Sequence, residues 1–155
     1  MLSAVFRFIR LPILLIVIWA IGRFSMGLFG VPYTPRSNAT FSLVVLTLIT
    51  SLYYGALSKS VGNFSWLGTA MVGGAIGFVA QIFIFVATIV SLVGGLDTYF
   101  VNWDAINVPE GTAVTMSNAL PARASGLVIN MLLAAAEACI GRLLAGLAPK
   151  PVTQS

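Results

Sequence analysis

The chain has 155 residues, of which 59% are hydrophobic and only 8% are charged, whereas soluble domains carry roughly a quarter charged residues. This composition excludes an ordinary water-soluble protein and predicts an integral membrane protein with a single domain over 1–155. The net charge is +4, but the basic residues are scattered singly, so no nucleic-acid-binding patch is expected. Histidine is absent and Cys139 is the single cysteine, which excludes an intrachain disulfide and argues against a zinc or haem site.

The first apolar run is predicted to form a membrane helix over about 11–29. Arg7 and Arg10 precede it, and Pro12 lies in its first turn, where a proline is tolerated. A cleaved signal peptide is the alternative, because the sequence Ala-Ile-Gly at 20–22 resembles a small-x-small cleavage site. The hydrophobic run resumes directly after this tripeptide, so a retained membrane helix is the preferred interpretation.

Two further helices follow in the sequence. Prolines and a glycine in 30–38 end the first helix, and Ser37 or Asn38 is predicted to cap a second helix over about 40–57. The third helix, over about 67–94, has no charge along more than the ~20 residues needed to cross a bilayer.

Small and polar residues recur every four positions on the third helix, so they form one stripe along it. In lipid, small residues mark the places where helix backbones approach closely, and we expect this stripe to pack against the fourth helix. The stripe consists of Thr69, Gly73, Gly77 and Gln81.

The connection 95–121 is the one long connection in the predicted arrangement. Aromatic residues are interleaved there with acidic residues, so we expect it to lie at the lipid headgroup level. The acids are six or seven residues apart, which does not match a calcium-binding loop, and no metal site is predicted. They are Asp97, Asp104 and Glu110.

The fourth helix is predicted over about 121–147, with Ser117 or Asn118 as its cap. It carries Gly141 as a further small-residue packing position. The predicted fold class is therefore an all-α integral membrane four-helix bundle.

Four spans place both termini on the same side of the membrane. With the termini inside, five basic residues flank the inner side and three flank the outer side, which favours cytoplasmic termini. The predicted location is the plasma membrane or a bacterial inner membrane, as a multi-pass protein. The inner residues are Arg7, Arg10, Lys59, Arg142 and Lys150, and the outer residues are Arg23, Arg36 and Arg123.

Polar side chains inside the predicted helices are functional candidates, because such residues usually face the bundle interior or a cavity. Depths are counted at 1.5 Å per residue from the outer boundary, which is taken as Gly94 on the third helix and Ser125 on the fourth. The count predicts one polar layer roughly 17–21 Å deep and a shallower one at roughly 8–9 Å. Glu137 is the centre of the deeper layer, either as a residue that fixes helix register or as one that carries protons or solute. The deeper layer contains Glu137, Gln81, Tyr54 and Ser51, and the shallower layer contains Arg23 and Asn130.

Three classes of function are open at this point. The first is a non-catalytic bundle that acts as a homo-oligomer or as an accessory subunit of a membrane complex, since small residues on three helices offer more contact faces than four helices need. The second is permeation of a proton, ion or small solute through the polar layer centred on Glu137. The small residues in question are Gly22, Gly27, Gly30, Thr69, Gly73, Gly77, Gly126, Ala134, Gly141 and Ala145.

The third class, a membrane enzyme, is disfavoured because the sequence has no nucleophile with an adjacent base and no metal-ligand spacing. No catalytic residue, cofactor or metal is predicted. The expected partners are the lipid bilayer and either a second copy of the chain or another membrane protein, and not a nucleic acid.

Overall fold

The computed structural model describes residues 1–33 and 40–147, and these parts of the chain contain helices and connections without a strand. Four of the helices are long and apolar enough to cross a membrane, which confirms the predicted all-α class at this level. In chain order the elements are α1 (Leu2–Phe8), α2 (Arg10–Leu28), α3 (Leu43–Ser60), α4 (Trp66–Gly94), a short 3-10 helix (Tyr99–Val101), α5 (Trp103–Ile106) and α6 (Met116–Ala145), of which α2, α3, α4 and α6 are the four long ones.

The end of α1, where α2 begins, and the end of α6 lie at the same end of the bundle, which we call the termini end, whereas Leu2 lines a groove further along α4 with Gly74 and Phe78. The ring of Phe8 contacts the rings of Tyr54 and Phe64, with 5.3 Å between centroids in each case. Arg142, near the end of α6, donates to the carbonyl of Phe64, which belongs to the α3–α4 turn. The opposite end carries the connection between α4 and α6, and we call it the loop end.

The sequence missed helix α1, because two arginines in 1–10 made this segment resemble a hydrophilic flank. In the structure Val5 and Ile9 are fully buried, so the segment contributes to the core. Helix α2, at Arg10–Leu28, begins and ends within one residue of the predicted first span.

Helices α3 and α4 begin at serine caps. Ser42 accepts a hydrogen bond from the backbone N–H of Val45, so α3 begins three residues later than predicted. The predicted caps Ser37 and Asn38 lie outside the described residues. Helix α4 begins one residue earlier than predicted and ends at Gly94, and the following Gly95 caps it with a φ of +60°, in the left-handed region that favours glycine.

Helix α6 begins at Met116, five residues before its predicted start near Pro121. The backbone N–H of Thr115 donates to Asn118 Oδ1 at 2.9 Å, so Asn118 closes a capping box rather than serving as the cap itself. Pro121 is tolerated inside the helix, and the earlier start places an additional turn of α6 beside α4.

Helix α6 packs closely on α4 and α3 at glycine positions, where the two backbones come into direct contact. Gly73 lies against the carbonyl of Ala134, and a Cβ atom added at Gly77 would lie 2.9 Å from Ala134 Cβ. On the other side of α6, Gly55 of α3 lies against Ala138, and Gly141 lies against the carbonyl of Leu52. These three helices therefore form a core with no space between their backbones at mid-length.

Candidate functional site

A polar cavity of about 450 Å³ lies at the loop end, bounded by α3, α4, α6, the connection between α4 and α6, and Tyr33. We call it the loop-end cavity. A volume of this size lies within the range of roughly 300–1,000 Å³ that is typical of small-molecule sites. The polar residues lining the cavity are Tyr33, Gln81, Asp104, Asn107, Arg123 and Asn130.

Gln81 of α4 is a polar residue of the cavity wall. Only 5% of its surface is exposed, and within the described parts of the chain its amide makes no hydrogen bond. Because Gln81 lines the cavity, its amide is available to water or to a polar ligand there.

Asn130 and Gly126 of α6 lie next to Gln81. Asn130 Nδ2 donates to the carbonyl of Gly126 at 2.8 Å, which leaves the side-chain oxygen of Asn130 available to the cavity. A Cβ atom added at Gly126 would point towards both amides, with Gln81 Oε1 and Asn130 Nδ2 each 3.9 Å away. The absence of a side chain at Gly126 therefore keeps this part of the cavity open.

Arg123 of α6 forms the charged wall of the cavity. Its Nη1 donates to the carbonyl of Ala105 at 3.0 Å and its Nη2 to that of Phe100 at 2.7 Å, while Nε donates to Thr88 Oγ1 at 2.9 Å. These three bonds hold the guanidinium in a fixed position. Because a guanidinium has five N–H groups, two remain for an acceptor in the cavity.

Arg23 of α2 lies in a smaller cavity of about 140 Å³, which shares Arg123 as part of its wall. Its guanidinium carbon is 4.4 Å from the ring centroid of Tyr99 and 5.0 Å from that of Tyr33, and Nη1 donates to the carbonyl of Thr40. These contacts are cation–π interactions plus a hydrogen bond, so Arg23 joins α2 to the connections at the loop end.

Asp104 of α5 and Asn107, which directly follows α5, line the loop-end cavity. Asn102 positions α5 by accepting a hydrogen bond from the backbone N–H of Asp104 at 3.0 Å. Asn107 is exposed, so the cavity reaches the surface of the bundle beside it.

The predicted deep layer is not present as one layer. Gln81 and Asn130, which were predicted at different depths, both line the loop-end cavity, whereas Glu137 lies three turns further along α6, roughly 16 Å from Gly126. The reason is the register of α6. Because α6 begins at Met116, its residues lie further towards the termini end than depth counting from Ser125 placed them.

The remaining residues of the predicted layers lie apart from the cavity. Tyr54 is half-buried and contacts Phe8 and Tyr53 through its ring, towards the termini end. Ser51 is fully buried, and its hydroxyl makes no hydrogen bond within the described residues. Glu137 is half-buried and likewise has no hydrogen-bonding or ionic partner in the described parts of the chain.

The predicted packing residues fall into two groups. Gly73 and Gly77 face α6, and Gly141 faces α3. Thr69 instead belongs to a polar cluster at the termini end, where its hydroxyl lies 2.7 Å from both Ser58 Oγ and Arg142 Nη1.

The sequence analysis did not predict Arg123 as a site residue. Arg123 entered only the count of basic residues at the outer ends of the helices. A signal was present, because Arg123, Gly126 and Asn130 are spaced at i, i+3 and i+7 and so share one face of a helix. Asp104 and Asn107 could not have been assigned, because their position depends on how the connection folds back onto the helices.

Comparison of the chain with models of protein families, with curated proteins and with solved structures found no match. Function is therefore inferred from the geometry alone.

Proposed function

We propose that the chain is an integral membrane protein that binds a small polar solute with a carboxylate group in the loop-end cavity. The observation that carries this proposal is the cavity of about 450 Å³ on which the amides of Gln81 and Asn130 and the guanidinium of Arg123 converge. In this assignment α2, α3, α4 and α6 are membrane spans, and the termini are cytoplasmic.

The carboxylate is assigned from the hydrogen-bonding groups of the wall. The two remaining N–H groups of Arg123 suit a carboxylate, which is the planar acceptor that a guanidinium binds best. Gln81 and Asn130 add amide groups for the polar remainder of the solute. Arg123 is the one basic residue among the described residues that line the cavity, so the solute is a monocarboxylate or a zwitterion.

Binding is a better description than permeation through an open pore. Below Gln81 the path towards the termini end meets the contacts of Gly77 and Gly73 with α6. The backbones of α4 and α6 touch there, which argues against a path between these two helices. A continuous path between them would require separation of α4 from α6.

The test is thermal unfolding of the purified protein in detergent at constant ionic strength. The probes are sodium acetate, lactate, glycine and alanine, with chloride as the reference and succinate as the doubly charged comparison. A ligand at 100 times its Kd stabilises the folded state by about 2.7 kcal/mol, so at least one monocarboxylate or amino acid should raise Tm over chloride. If none of them does so, the cavity serves only to hold water and the proposal fails.

Gly126 provides the matched control variants. Gly126→Leu places a side chain into the cavity next to Gln81, whereas Gly126→Ala adds one methyl group at ordinary contact distance. The Leu variant should fold normally and lose the ligand-induced Tm shift, and the Ala variant should keep most of it. Equal shifts in both variants would place the ligand elsewhere.

A second candidate function is association with another membrane-spanning chain, and Glu137 is the observation that favours it. A carboxyl group in a membrane span is unfavourable without a partner, and Glu137 finds none in the described chain. A polar or basic side chain on a second copy of the chain, or on another subunit, would supply a partner for the Glu137 carboxyl group. The small residues no longer favour this function, because Gly22, Gly27, Gly73 and Gly141 all pack within the chain itself.

Native mass measurement in mild detergent tests this second candidate. Glu137→Leu should dissociate the assembly, while Glu137→Gln should preserve it because an amide still offers a donor and an acceptor. Leu132→Ala changes an exposed apolar position of the same helix and is the control. It should leave the assembly intact, because it does not alter Glu137. A wild-type chain that is monomeric without any bound partner would exclude association.

A further inference from the structure

A second cavity, of about 600 Å³, lies at the termini end between the last turns of α3 and α6 and the first turn of α4. We call it the basic pocket. Its polar lining residues are Lys59, Ser60, Trp66 and Arg142. None of the acidic residues of the chain lines it, so its charge is positive.

Arg142 is held in a fixed position at the wall of the basic pocket. Its Nη1 donates to the carbonyl of Phe64 and to Thr69 Oγ1, each at 2.7 Å. Its guanidinium carbon lies 4.6 Å from the centroid of the Trp66 ring, which is cation–π geometry. Both hydrogens of Nη1 are used in this way, whereas the N–H groups of Nε and Nη2 remain for an acceptor.

Lys59 supplies a second, less constrained cation. It is exposed at the end of α3 and makes no ion pair within the described chain. A fixed guanidinium and an adjacent ammonium suit a phosphate group, because the guanidinium binds two oxygens with defined geometry and the ammonium acts as a point charge.

One side of the basic pocket is apolar, and this decides which phosphate compound fits. Leu143 lines the pocket and is 59% exposed, and Trp66 is 54% exposed. Tryptophan at this position is typical of the boundary between headgroups and acyl chains. An amphipathic ligand can place its phosphate on Arg142 and its acyl chain along Leu143, whereas free phosphate would use only the polar side.

We infer that the basic pocket binds the headgroup phosphate of an anionic phospholipid. Basic pockets between membrane helices are known binding sites for such headgroups. The inference relies on the membrane placement proposed above but not on solute binding in the loop-end cavity. Recovery of the wild-type chain in carbonate-washed membranes tests the membrane placement separately.

The experiment is native mass spectrometry of the detergent-purified full chain with dioleoyl phosphatidylglycerol or dioleoyl phosphatidylcholine added. The wild type should retain phosphatidylglycerol in preference to phosphatidylcholine. Lys59→Gln should weaken this retention roughly fivefold, the size expected for one basic residue near an anionic surface. Arg142→Lys should also weaken it, because a lysine keeps the charge but loses the two-oxygen geometry.

Arg7→Gln is the matched control, since Arg7 is exposed on α1, at the same end of the bundle, and lies outside the pocket lining. It removes the same charge as Lys59→Gln and should leave lipid retention unchanged. Thermal unfolding of each variant verifies that it is folded. Equal retention of the two lipids, or an equal loss in Arg7→Gln and Lys59→Gln, would overturn the inference. Displacement of the lipid by 10-fold excess inorganic phosphate would overturn the lipid assignment in favour of a free-phosphate site.

Discussion

Gly73 and Gly74 are adjacent on α4 but have opposite surroundings, which allows the close packing of α4 on α6 to be tested with two minimal substitutions. A Cβ atom at Gly73 would meet the carbonyl of Ala134 and would lie 2.7 Å from Ala138 Cβ. A Cβ atom at Gly74 would have Met131 Cγ, at 3.8 Å, as its nearest neighbour, which is an ordinary contact. Replacement by alanine should therefore push α4 and α6 apart only at Gly73.

The magnitude follows from two opposing terms. Alanine is favoured over glycine inside a helix by about 1 kcal/mol, and this gain applies to both variants. Overpacking of a close contact is destabilising by typically 1–3 kcal/mol, and this loss applies only to Gly73→Ala. The two variants should thus differ by about 2 kcal/mol, or roughly 4–8 °C in Tm for a chain of this size.

The assay is far-UV circular dichroism during heating in one detergent, with Gly73→Ala, Gly74→Ala and the wild type purified in parallel. Gly74→Ala should unfold at or slightly above the wild-type temperature, and Gly73→Ala clearly below it. If Gly73→Ala unfolds at the same temperature as Gly74→Ala, then α4 and α6 do not approach at Gly73 and the closed core is wrong.

Three further predictions concern the two ends of the bundle. Ser58→Ala and Thr69→Val each remove the buried hydrogen bond of 2.7 Å between the two hydroxyls. A double-mutant cycle of unfolding free energies should give a coupling of about 0.5–1.5 kcal/mol, and strictly additive effects would contradict this hydrogen bond. Arg123→Lys should speed hydrogen exchange in 100–106, because a lysine cannot make all three bonds of the guanidinium, and unchanged exchange would show that Arg123 does not anchor this connection. In a Cys139→Ser background, a cysteine at Asp104 should react with an impermeant reagent from outside, and one at Ser60 only after permeabilisation, with the reverse result refuting cytoplasmic termini.

The long helices were predictable because their apolar runs are long and are interrupted by prolines and glycines. The four-residue spacing of Gly73 and Gly77 also pointed to a helix contact, and the structure places both residues against α6. Such inferences need only the periodicity of one helix, which a single sequence contains.

The positions of residues on one helix relative to residues on another, measured along the bundle, were less predictable. They depend on where each helix begins. The capping box at Thr115 starts α6 nine residues before Ser125, from which depth was counted, and the predicted layer containing Gln81 and Glu137 was therefore wrong. The position of Arg123 in the cavity wall depends on carbonyl groups of Phe100 and Ala105, and the sequence gives no signal for which carbonyls a connection will present.

The two arginines of α6 use the same structural arrangement at opposite ends of the helix. Arg123 donates to carbonyls of the α4–α6 connection and to Thr88 of α4, and Arg142 donates to a carbonyl of the α3–α4 turn and to Thr69 of α4. They are separated by roughly 28 Å along α6, close to the ~30 Å thickness of a hydrocarbon core. Each arginine can thus lie at one boundary of the proposed membrane span.

This placement changes the role that Glu137 can have. Five residues separate it from Arg142, so its backbone lies roughly 7 Å inside the boundary at the termini end rather than at mid-membrane. A carboxyl group at this depth can reach the interface, and its burial is less unfavourable than at the centre of the bilayer. Gln81, which lies roughly level with Gly126 and Asn130, is at a similar depth from the loop end, roughly 4–10 Å from the level of Arg123. It differs from Glu137 in lining the loop-end cavity, which Glu137 does not line. The loop-end cavity therefore has a stronger claim than Glu137 to be the site at which a solute is held.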